Sequence, residues 1–396
     1  MVTQSQTSYG NKAQASMTCD SKMHRWFHPL CGSHPVILLA LLAHNGPPSL
    51  KGVLPTSVAL ASALCRFPFT AAEIVWTAVT HRKASLMAPP VFIIGHMRSG
   101  TTHLHNVLSH CGQFNTVPPL IAGLPWEARS FARMIRPLVE QYFPEHRLID
   151  NVALESSSPT EDEVALANMA FGSYYHAFYF ARNFKRNYCR ALCPDEGAGF
   201  KKRRRCESID YYVRKMSMLA PDKQLLLKSP AYTAEVAMLR TLWPNAKFIH
   251  IYRNPYVVFE STKHMLSTLV RELSVQACDD VPIADVVLET YPRIMQRLLK
   301  DTAVLPAENV VHVRFEDFEA EPLEEVERIF TILDLENIAA ERPRMKTYLD
   351  TIRHYKKNAH RFTDESVEKV SRHWGRFVTH WRYQPPPIVC GDHAYG

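Results

Sequence analysis

The chain has 396 residues, and its 46 Lys and Arg against 39 Asp and Glu leave a formal net charge of +7. This charge is modest for the length, so it argues against a nucleic-acid binder and suits a site for a small anionic ligand. Hydrophobic residues make up 46% of the chain, which suits a globular protein with a sizeable core. The nine cysteines are scattered without CxxC pairs and predict a reducing, cytoplasmic location and no zinc site.

Two segments of different composition precede the main domain. Residues 1–34 are rich in Ser, Thr, Gln and Asn and lack the pattern of a signal peptide, so we expect a disordered tail. Residues 35–88 are expected to form a helical extension. Its apolar stretch 53–79 is interrupted by Arg66, Pro68 and Glu73, which favours a pair of amphipathic helices over a membrane-spanning helix. Peripheral membrane contact through residues 36–79 is the alternative.

Residues 90–108, PVFIIGHMRSGTTHLHNVL, predict a strand, a glycine-bounded loop and a helix. Val91–Ile94 is typical of a strand buried on both faces, and apolar residues then recur at helical spacing. This order builds an anion site, because the loop amides and the first N–H groups of the helix converge on one point. Gly95 and Gly100 have the spacing of a phosphate-binding P-loop, but Thr101 stands where a nucleotide hydrolase has lysine.

The loop carries a replacement for that lysine. Arg98 supplies a cation from inside the loop, and the hydroxyls of Thr101 and Thr102 add donors. The Lys-Ser/Thr pair that holds a magnesium triphosphate is missing, which argues against an ordinary kinase or ATPase and predicts no metal. The simpler alternative is a Gly-Ser-Thr turn that only caps a helix.

Further strand candidates follow at 224–227, 248–252 and 310–313, each succeeded by a helical pattern. The repetition predicts an α/β fold, with a P-loop-like three-layer arrangement of a central parallel sheet and helices on both faces. We assign this domain to residues 89–383 and a proline-rich tail to residues 384–396.

A second anion site is expected at Arg253. It ends a predicted strand, where open α/β sheets place their ligands, and Ser261 follows on the second turn of the next helix. The two side chains can converge on one phosphate. The alternative is an arginine that caps a helix or pairs with a carboxylate.

Two phosphate sites on one sheet require a ligand with a phosphate at each end, and the motifs resemble those of one family. GHMRSGTTHL resembles the 5′-phosphosulfate loop of the sulfotransferases that use 3′-phosphoadenylyl sulfate (PAPS), and RNPYVVFES resembles their 3′-phosphate motif. Residues 225–255, with the acidic segment 159–163, most resemble the bacterial-type branch, which is related to the tyrosylprotein sulfotransferases. The resemblance covers residues 90–383.

The resemblance implies a set of site residues. Those for the nucleotide are Arg98, Ser99, Gly100, Thr101 and Thr102 at the 5′-phosphosulfate, Arg253 and Ser261 at the 3′-phosphate, and Arg361 as a further contact. Arg98 and Lys228 would stabilise charge on the leaving phosphate oxygen. Either Glu127 or the acidic segment with Glu161 and Glu163 would supply the base, and His96, His103 and His105 border the loop as further proton acceptors. Tyr232 departs from the family pattern, which has histidine at that position.

The predicted function is sulfuryl transfer from PAPS to a hydroxyl or an amine of a small molecule or glycan, by in-line displacement. The alternatives are a nucleotide kinase or hydrolase with a degenerate P-loop, and a nucleotide-binding relative without catalysis. Aromatic residues in segments 114–151 and 173–208 indicate an apolar acceptor pocket or, alternatively, part of the core. The basic run 201–205 is predicted to be a solvated loop, with a localisation signal or an acidic partner as alternatives.

Overall fold

A central sheet of five parallel strands, in the order β2-β3-β1-β4-β5, organises the molecule. The computed structural model describes residues 28–81, 88–141, 155–193, 199–336, 338–353 and 362–387. The strands are β1 (Val91–Ile94), β2 (Phe114–Asn115), β3 (Gln224–Lys228), β4 (Lys247–Tyr252) and β5 (Val310–Arg314). Of these five strands, β2 alone was not predicted from the sequence, because two residues are too few to show a strand period.

Each central strand is buried on both faces. In β1, Val91 and Ile93 belong to one hydrophobic core, and Phe92 and Ile94 belong to the other. This division follows from the two-residue period of a strand. The predicted buried parallel sheet is therefore confirmed.

Helices cover both faces of the sheet. They are α1 (Pro35–Asn45), α2 (Leu50–His81), α3 (Thr101–Ser109), α4 (Pro119–Gly123), α5 (Phe131–Glu140), α6 (Asp162–Met169), α7 (Tyr175–Tyr179), α8 (Phe184–Leu192), α9 (Gly199–Leu219), α10 (Val236–Leu242), α11 (Pro255–Leu273), α12 (Ile283–Thr302), α13 (Phe315–Ala320), α14 (Pro322–Ile332), α15 (Ile338–Thr351) and α16 (Asp364–His380). Short 3-10 turns lie at Pro29–Gly32, Pro125–Glu127, Ala181–Asn183, Pro230–Ala234 and Ala307–Asn309. One core joins the sheet to α3, α14 and α15, and the other joins it to α11, α12 and α16. The predicted three-layer α/β fold is confirmed.

The helical extension differs from its prediction in one respect. α2 is a single helix that runs through Pro55 and Pro68, not a pair of helices. A proline inside a helix costs a backbone hydrogen bond, so tertiary contacts must offset that loss. Here Arg66 and Glu73 form buried ion pairs with Glu127 and Lys215 of the main domain.

Two other expectations are corrected by burial. The predicted tail is packed from residue 28 onward, because Leu30 is buried and His28 Nε2 donates to the Leu273 carbonyl at 2.8 Å. The basic run 201–205 lies in helix α9, and Arg205 is buried rather than solvated. Residues 1–27 and 388–396 of the two expected tails lie outside the described residues.

The connections decide where a ligand can bind. After β1 the chain passes through α3 to the edge strand β2, and β3 and β4 then pair with opposite sides of β1. The strand order therefore reverses at β1. In open parallel sheets, ligands bind at the carboxyl ends of the strands where this reversal occurs.

Candidate active site

The loop between β1 and α3 needs its two glycines. Gly95 and Gly100 have φ angles of 147° and 99°. A Cβ added at Gly95 would lie 2.4 Å from the Ile251 carbonyl oxygen, and one at Gly100 would lie 2.2 Å from a ring carbon of Phe315. The loop thus packs directly on β4 and α13, and its amides stay at the N-terminus of α3.

Arg98 connects this loop to the second anion motif. Its backbone is left-handed, with φ of 69°, and its Nε donates to Ser261 Oγ at 2.9 Å. Thr262, the next residue of α11, donates to the Met97 carbonyl at 3.3 Å. The two motifs that the sequence places 163 residues apart therefore share one site.

Arg253 adds a second guanidinium. It stacks over the Phe315 ring, with 4.2 Å from its Cζ atom to the ring centroid. Burial lowers the pKa of Arg253, and the charge of Arg98 acts in the same direction, while Glu319 and Glu316 oppose it. Arg98 and Arg253 are two half-buried, neighbouring cations, and a bound anion would stabilise their charges.

Lys228 ends β3 beside the loop. Its Nζ lies 2.9 Å from Glu161 Oε2, and its backbone N–H donates to Asp162 at 2.6 Å. The Thr233 hydroxyl ties this region to Gly95, since it accepts from the Gly95 N–H at 2.8 Å and donates to its carbonyl at 3.0 Å. The second carboxylate oxygen of Glu161 is buried and has no hydrogen-bond partner among the described residues. It is an acceptor at the ligand edge of the sheet.

Glu163, the other acid of this segment, has a different environment. It accepts from the two terminal nitrogens of Arg205 at 3.0 and 2.8 Å, and Glu235 accepts from the same guanidinium at 3.1 Å. Burial raises the pKa of Glu235, which Arg205 opposes. This buried triad fixes the acidic segment to α9, and both carboxylate oxygens of Glu163 already accept from Arg205. The basic run 201–205 drew attention to Arg205 in the sequence, but no local pattern indicated that Glu163 and Glu235 are its partners.

Glu127 lies against the helical extension. It is buried, with its carboxylate 2.6 Å from Arg66 Nη1 and accepting from the Thr70 hydroxyl. Burial raises the pKa of Glu127, and the Arg66 charge opposes that shift. Both partners belong to α2, so the described contacts of Glu127 are those of a residue that joins α2 to the domain.

The remaining predicted residues divide between the site and the core. Ser99 and Thr101 are buried at the start of α3, and Gly100 and Thr102 lie beside them. Tyr232, which stands where the family has histidine, is buried edge-on against Phe92. Arg361 lies outside the described residues.

The histidines that border the loop belong to the packing around it. The buried His96 ring lies against Tyr291, and burial lowers its pKa to about 4. His103 packs on Phe318. Burial lowers the pKa of His105, and the charge of Lys228 adds to that effect. These surroundings favour Glu161 over the three histidines as a proton acceptor.

A cleft of about 320 Å³ opens beyond the carboxyl end of β2. Its apolar wall is formed by Val117, Pro118, Leu120, Ile121, Met216 and Leu219. Arg133 and Glu140 of α5 and Ser156 line it as well. Because β2 pairs with β3, this cleft lies along the same sheet edge as Lys228.

A family profile identifies the class of protein. A profile of the Sulfotransferase family matches residues 89–341, which is more than half of the chain. The chain therefore belongs to the sulfotransferase family. The resemblance read from the two phosphate motifs is thus confirmed, and the protein is a transferase of the P-loop-like class.

Particular relatives can be named. The omega-hydroxy-beta-dihydromenaquinone-9 sulfotransferase Stf3 of Mycobacterium bovis is 29% identical over 299 residues, which cover 74% of this chain and 75% of Stf3. Among solved structures, sulfotransferase STF9 from Mycobacterium avium superposes with a TM-score of 0.68 at 15% identity, over 89% of this chain and 98% of STF9. Sulfotransferase STF1 from Mycobacterium tuberculosis superposes with a TM-score of 0.56 at 16% identity, over 86% of this chain and 90% of STF1. These structures share the fold.

Proposed function

We propose that the protein transfers a sulfuryl group from PAPS to a hydroxyl group of a hydrophobic small molecule. The observation that carries this proposal is the 2.9 Å hydrogen bond from Arg98 to Ser261, which brings the two anion motifs together at one sheet edge. A triphosphate site would instead need a lysine where Thr101 stands.

The nucleotide would be held at both ends. Arg98, the first N–H groups of α3 and the hydroxyls of Thr101 and Thr102 would bind the 5′-phosphosulfate. Arg253 and Ser261 would bind the 3′-phosphate. The charge of the site suits this nucleotide. Arg98 and Arg253 repel each other, and the negative charges of PAPS would offset that repulsion.

The transfer step needs two further groups. PAPS supplies a sulfuryl group bonded to phosphate, and that S–O bond breaks as a new one forms to the acceptor oxygen. Lys228 would stabilise the negative charge on the departing phosphate oxygen, together with Arg98. Glu161 would accept the proton of the acceptor hydroxyl. The 2.9 Å ion pair holds Lys228 and Glu161 at one point of the sheet edge.

Three variants test these roles. We expect Glu161→Gln and Lys228→Ala to lower kcat by about a hundredfold to ten-thousandfold, the usual range for general acid–base groups, with nucleotide affinity largely kept for Glu161→Gln. Glu127→Gln is the matched control, and we expect it to lower stability rather than kcat. A folded Glu127→Gln protein with a kcat loss larger than that of Glu161→Gln would reverse the assignment of the base.

The acceptor is proposed from the cleft and from one relative. The apolar wall of the cleft favours a hydrophobic acceptor over a glycan. Stf3 is named for a hydroxylated menaquinone, a prenyl-tailed acceptor of this kind. Transfer of labelled sulfate from PAPS to a panel of alcohols, phenols, sterols, sugars and hydroxylated quinones would identify the class. Labelling of sugars alone would contradict the proposal.

The donor can be tested separately. We expect adenosine 3′,5′-bisphosphate, which carries both phosphates, to raise the melting temperature, because a ligand that binds only the folded state stabilises it. ATP with magnesium serves as the comparison. A response to ATP with magnesium alone would favour the nucleotide kinase or hydrolase alternative, and nucleotide binding without transfer to any acceptor would favour the inactive relative.

A further inference from the structure

Helix α2 has its polar and apolar faces reversed. Its buried positions include polar and charged side chains, namely Thr56, Arg66, Thr70, Glu73 and Thr77. Its exposed positions carry large apolar side chains, which are between 37% and 67% exposed: Val53, Leu54, Leu64, Phe67, Phe69, Val75 and Val79. We call this second set the apolar face. A surface helix of a water-soluble protein has the opposite arrangement.

The buried charges prevent the helix from turning its apolar face inward. Arg66 is paired with Glu127 at 2.6 Å, and Glu73 is paired with Lys215 at 3.0 Å. Glu73 also accepts from the backbone N–H groups of Arg129 and Ser130 at 2.9 and 3.1 Å. Rotation of α2 would leave both charges buried without partners, which is strongly unfavourable. The apolar face therefore stays exposed.

The same ion pairs decide how α2 could meet a membrane. The segment Leu50–Thr80 is long and apolar enough to cross a bilayer by length and composition. Crossing would require Arg66 and Glu73 to leave their partners and enter hydrocarbon, which is costly. A helix that keeps its inner face on the protein can only lie parallel to the membrane surface.

The neighbouring helices α1 and α5 also expose apolar side chains. α1 exposes Val36 and Leu39, and α5 exposes Met134 and Leu138. α5 meets α2 through Phe131, whose ring lies 5.4 Å from that of Phe69. α5 also lines the cleft proposed for the acceptor, so a bilayer at this face would adjoin the cleft.

Basic side chains flank the apolar face on two sides. Lys51 is exposed at the start of α2, and Arg186 reaches the preceding turn, donating to the His44 carbonyl at 3.2 Å. On the α5 side, Arg129 and Arg133 are exposed. A basic rim around an apolar surface complements anionic phospholipid headgroups. In a symmetric dimer through this face, two such rims would be brought close together, which is unfavourable.

We propose that the apolar face of α2 rests in the interfacial layer of an anionic phospholipid bilayer, with the helix parallel to the membrane. The proposal stands on α2 and its neighbours and does not depend on the proposed reaction. It adds a route for a hydrophobic acceptor, which would dissolve in the layer next to the cleft.

Vesicle flotation tests the proposal without nucleotide or acceptor, so its outcome is separate from that of the proposed function. We expect the full chain to float with phosphatidylcholine–phosphatidylglycerol vesicles and less with phosphatidylcholine alone, and salt to weaken the binding. The double variant Leu64→Glu, Val75→Glu should lose binding by about tenfold or more. Val304→Glu is the matched control, because Val304 is apolar and 73% exposed outside this face.

Two results would overturn the proposal. One is a wild-type chain that stays with the unbound fraction for both vesicle types. The other is a double variant that floats as well as the Val304→Glu control. Light scattering tests the alternative that a second copy of the chain covers the face. A dimeric wild type and a monomeric double variant, neither of which floats, would support that alternative. Circular dichroism and a thermal melt without ligand check that each variant is folded.

Discussion

Arg253 and Ser261 make different contributions to the proposed 3′-phosphate site. Arg253 is a partly buried cation whose plane is fixed by the Phe315 ring, so it is oriented before any anion arrives. Ser261 is buried and already accepts from Arg98. A phosphate would gain a charged partner from the first and a neutral hydroxyl donor from the second, and charged hydrogen bonds are the stronger.

We therefore expect Arg253→Ala to weaken binding of adenosine 3′,5′-bisphosphate by about 30- to 100-fold and Ser261→Ala by about three- to tenfold. Titration calorimetry measures both. Arg372→Ala is the control, because Arg372 lies on α16 in an exposed ion pair with Glu368. Equal affinity of Arg253→Ala and the control would remove Arg253 from the nucleotide site.

At the scale of single elements, the start of α3 depends on the close approach of α13. Gly100 caps α3 with a left-handed backbone, and the Phe315 ring occupies the space that a side chain would need. Gly375, in the interior of α16, differs: a Cβ added there meets nothing within 4 Å. Substitution by alanine should therefore have opposite effects on stability at Gly100 and at Gly375.

We expect Gly100→Ala to displace the loop and abolish nucleotide binding, and to cost about 1–3 kcal/mol of stability from the backbone strain alone. Gly375→Ala should instead raise the free energy of unfolding by about 0.5–1 kcal/mol, because glycine is unfavourable within a helix. Urea unfolding and calorimetry check both. Unchanged nucleotide affinity in Gly100→Ala would show that the loop tolerates displacement.

The attachment of α2 depends on a buried ion pair. Glu127→Gln would leave the Arg66 charge buried without its partner, and we expect a loss of about 3–5 kcal/mol in the free energy of unfolding. The double variant Arg66→Met, Glu127→Gln removes both charges and should recover most of that loss. Urea unfolding of the single and double variants measures the difference, and equal stability of the two would mean that the pair contributes nothing specific.

At the scale of the whole molecule, buried histidines make the fold sensitive to acid. Burial lowers the pKa of His28, His96 and His176 from 6.5 to about 4 each. Between pH 6.5 and 4 these histidines bind more protons in the unfolded chain than in the folded one. The stability that they contribute is therefore fully present above pH 6.5 and is lost as the pH falls toward 4. Asp162 acts oppositely, since burial raises its pKa from 3.8 to about 8.

Taken together, these groups predict that the free energy of unfolding falls between pH 7 and pH 5, because the three histidines outweigh Asp162. The urea midpoint measured at both values checks this, at constant ionic strength. His176→Gln removes one of the three histidines, and its stability should depend less steeply on pH. A wild-type midpoint that is the same at both values would contradict the assigned protonation states.

Local sequence determined the centre of this protein. β1, its loop and α3 could be predicted because they are contiguous, because apolar periodicity is a local property, and because left-handed backbone favours glycine. The spacing of Arg253 and Ser261 is likewise set within one strand end and one helix, so the parallel sheet and both anion motifs followed from short stretches of chain.

Tertiary structure alone decided what depends on distant partners. The sequence offered Glu127 and Glu161 as alternative bases, with the better family parallel for Glu127. The fold pairs Glu127 with Arg66 and Glu161 with Lys228, 61 and 67 residues away along the chain. The continuity of α2 through two prolines and the burial of Arg205 have the same origin. An ion pair between remote residues leaves no periodic trace in the sequence, yet the low dielectric of the interior makes it strong enough to override local preference.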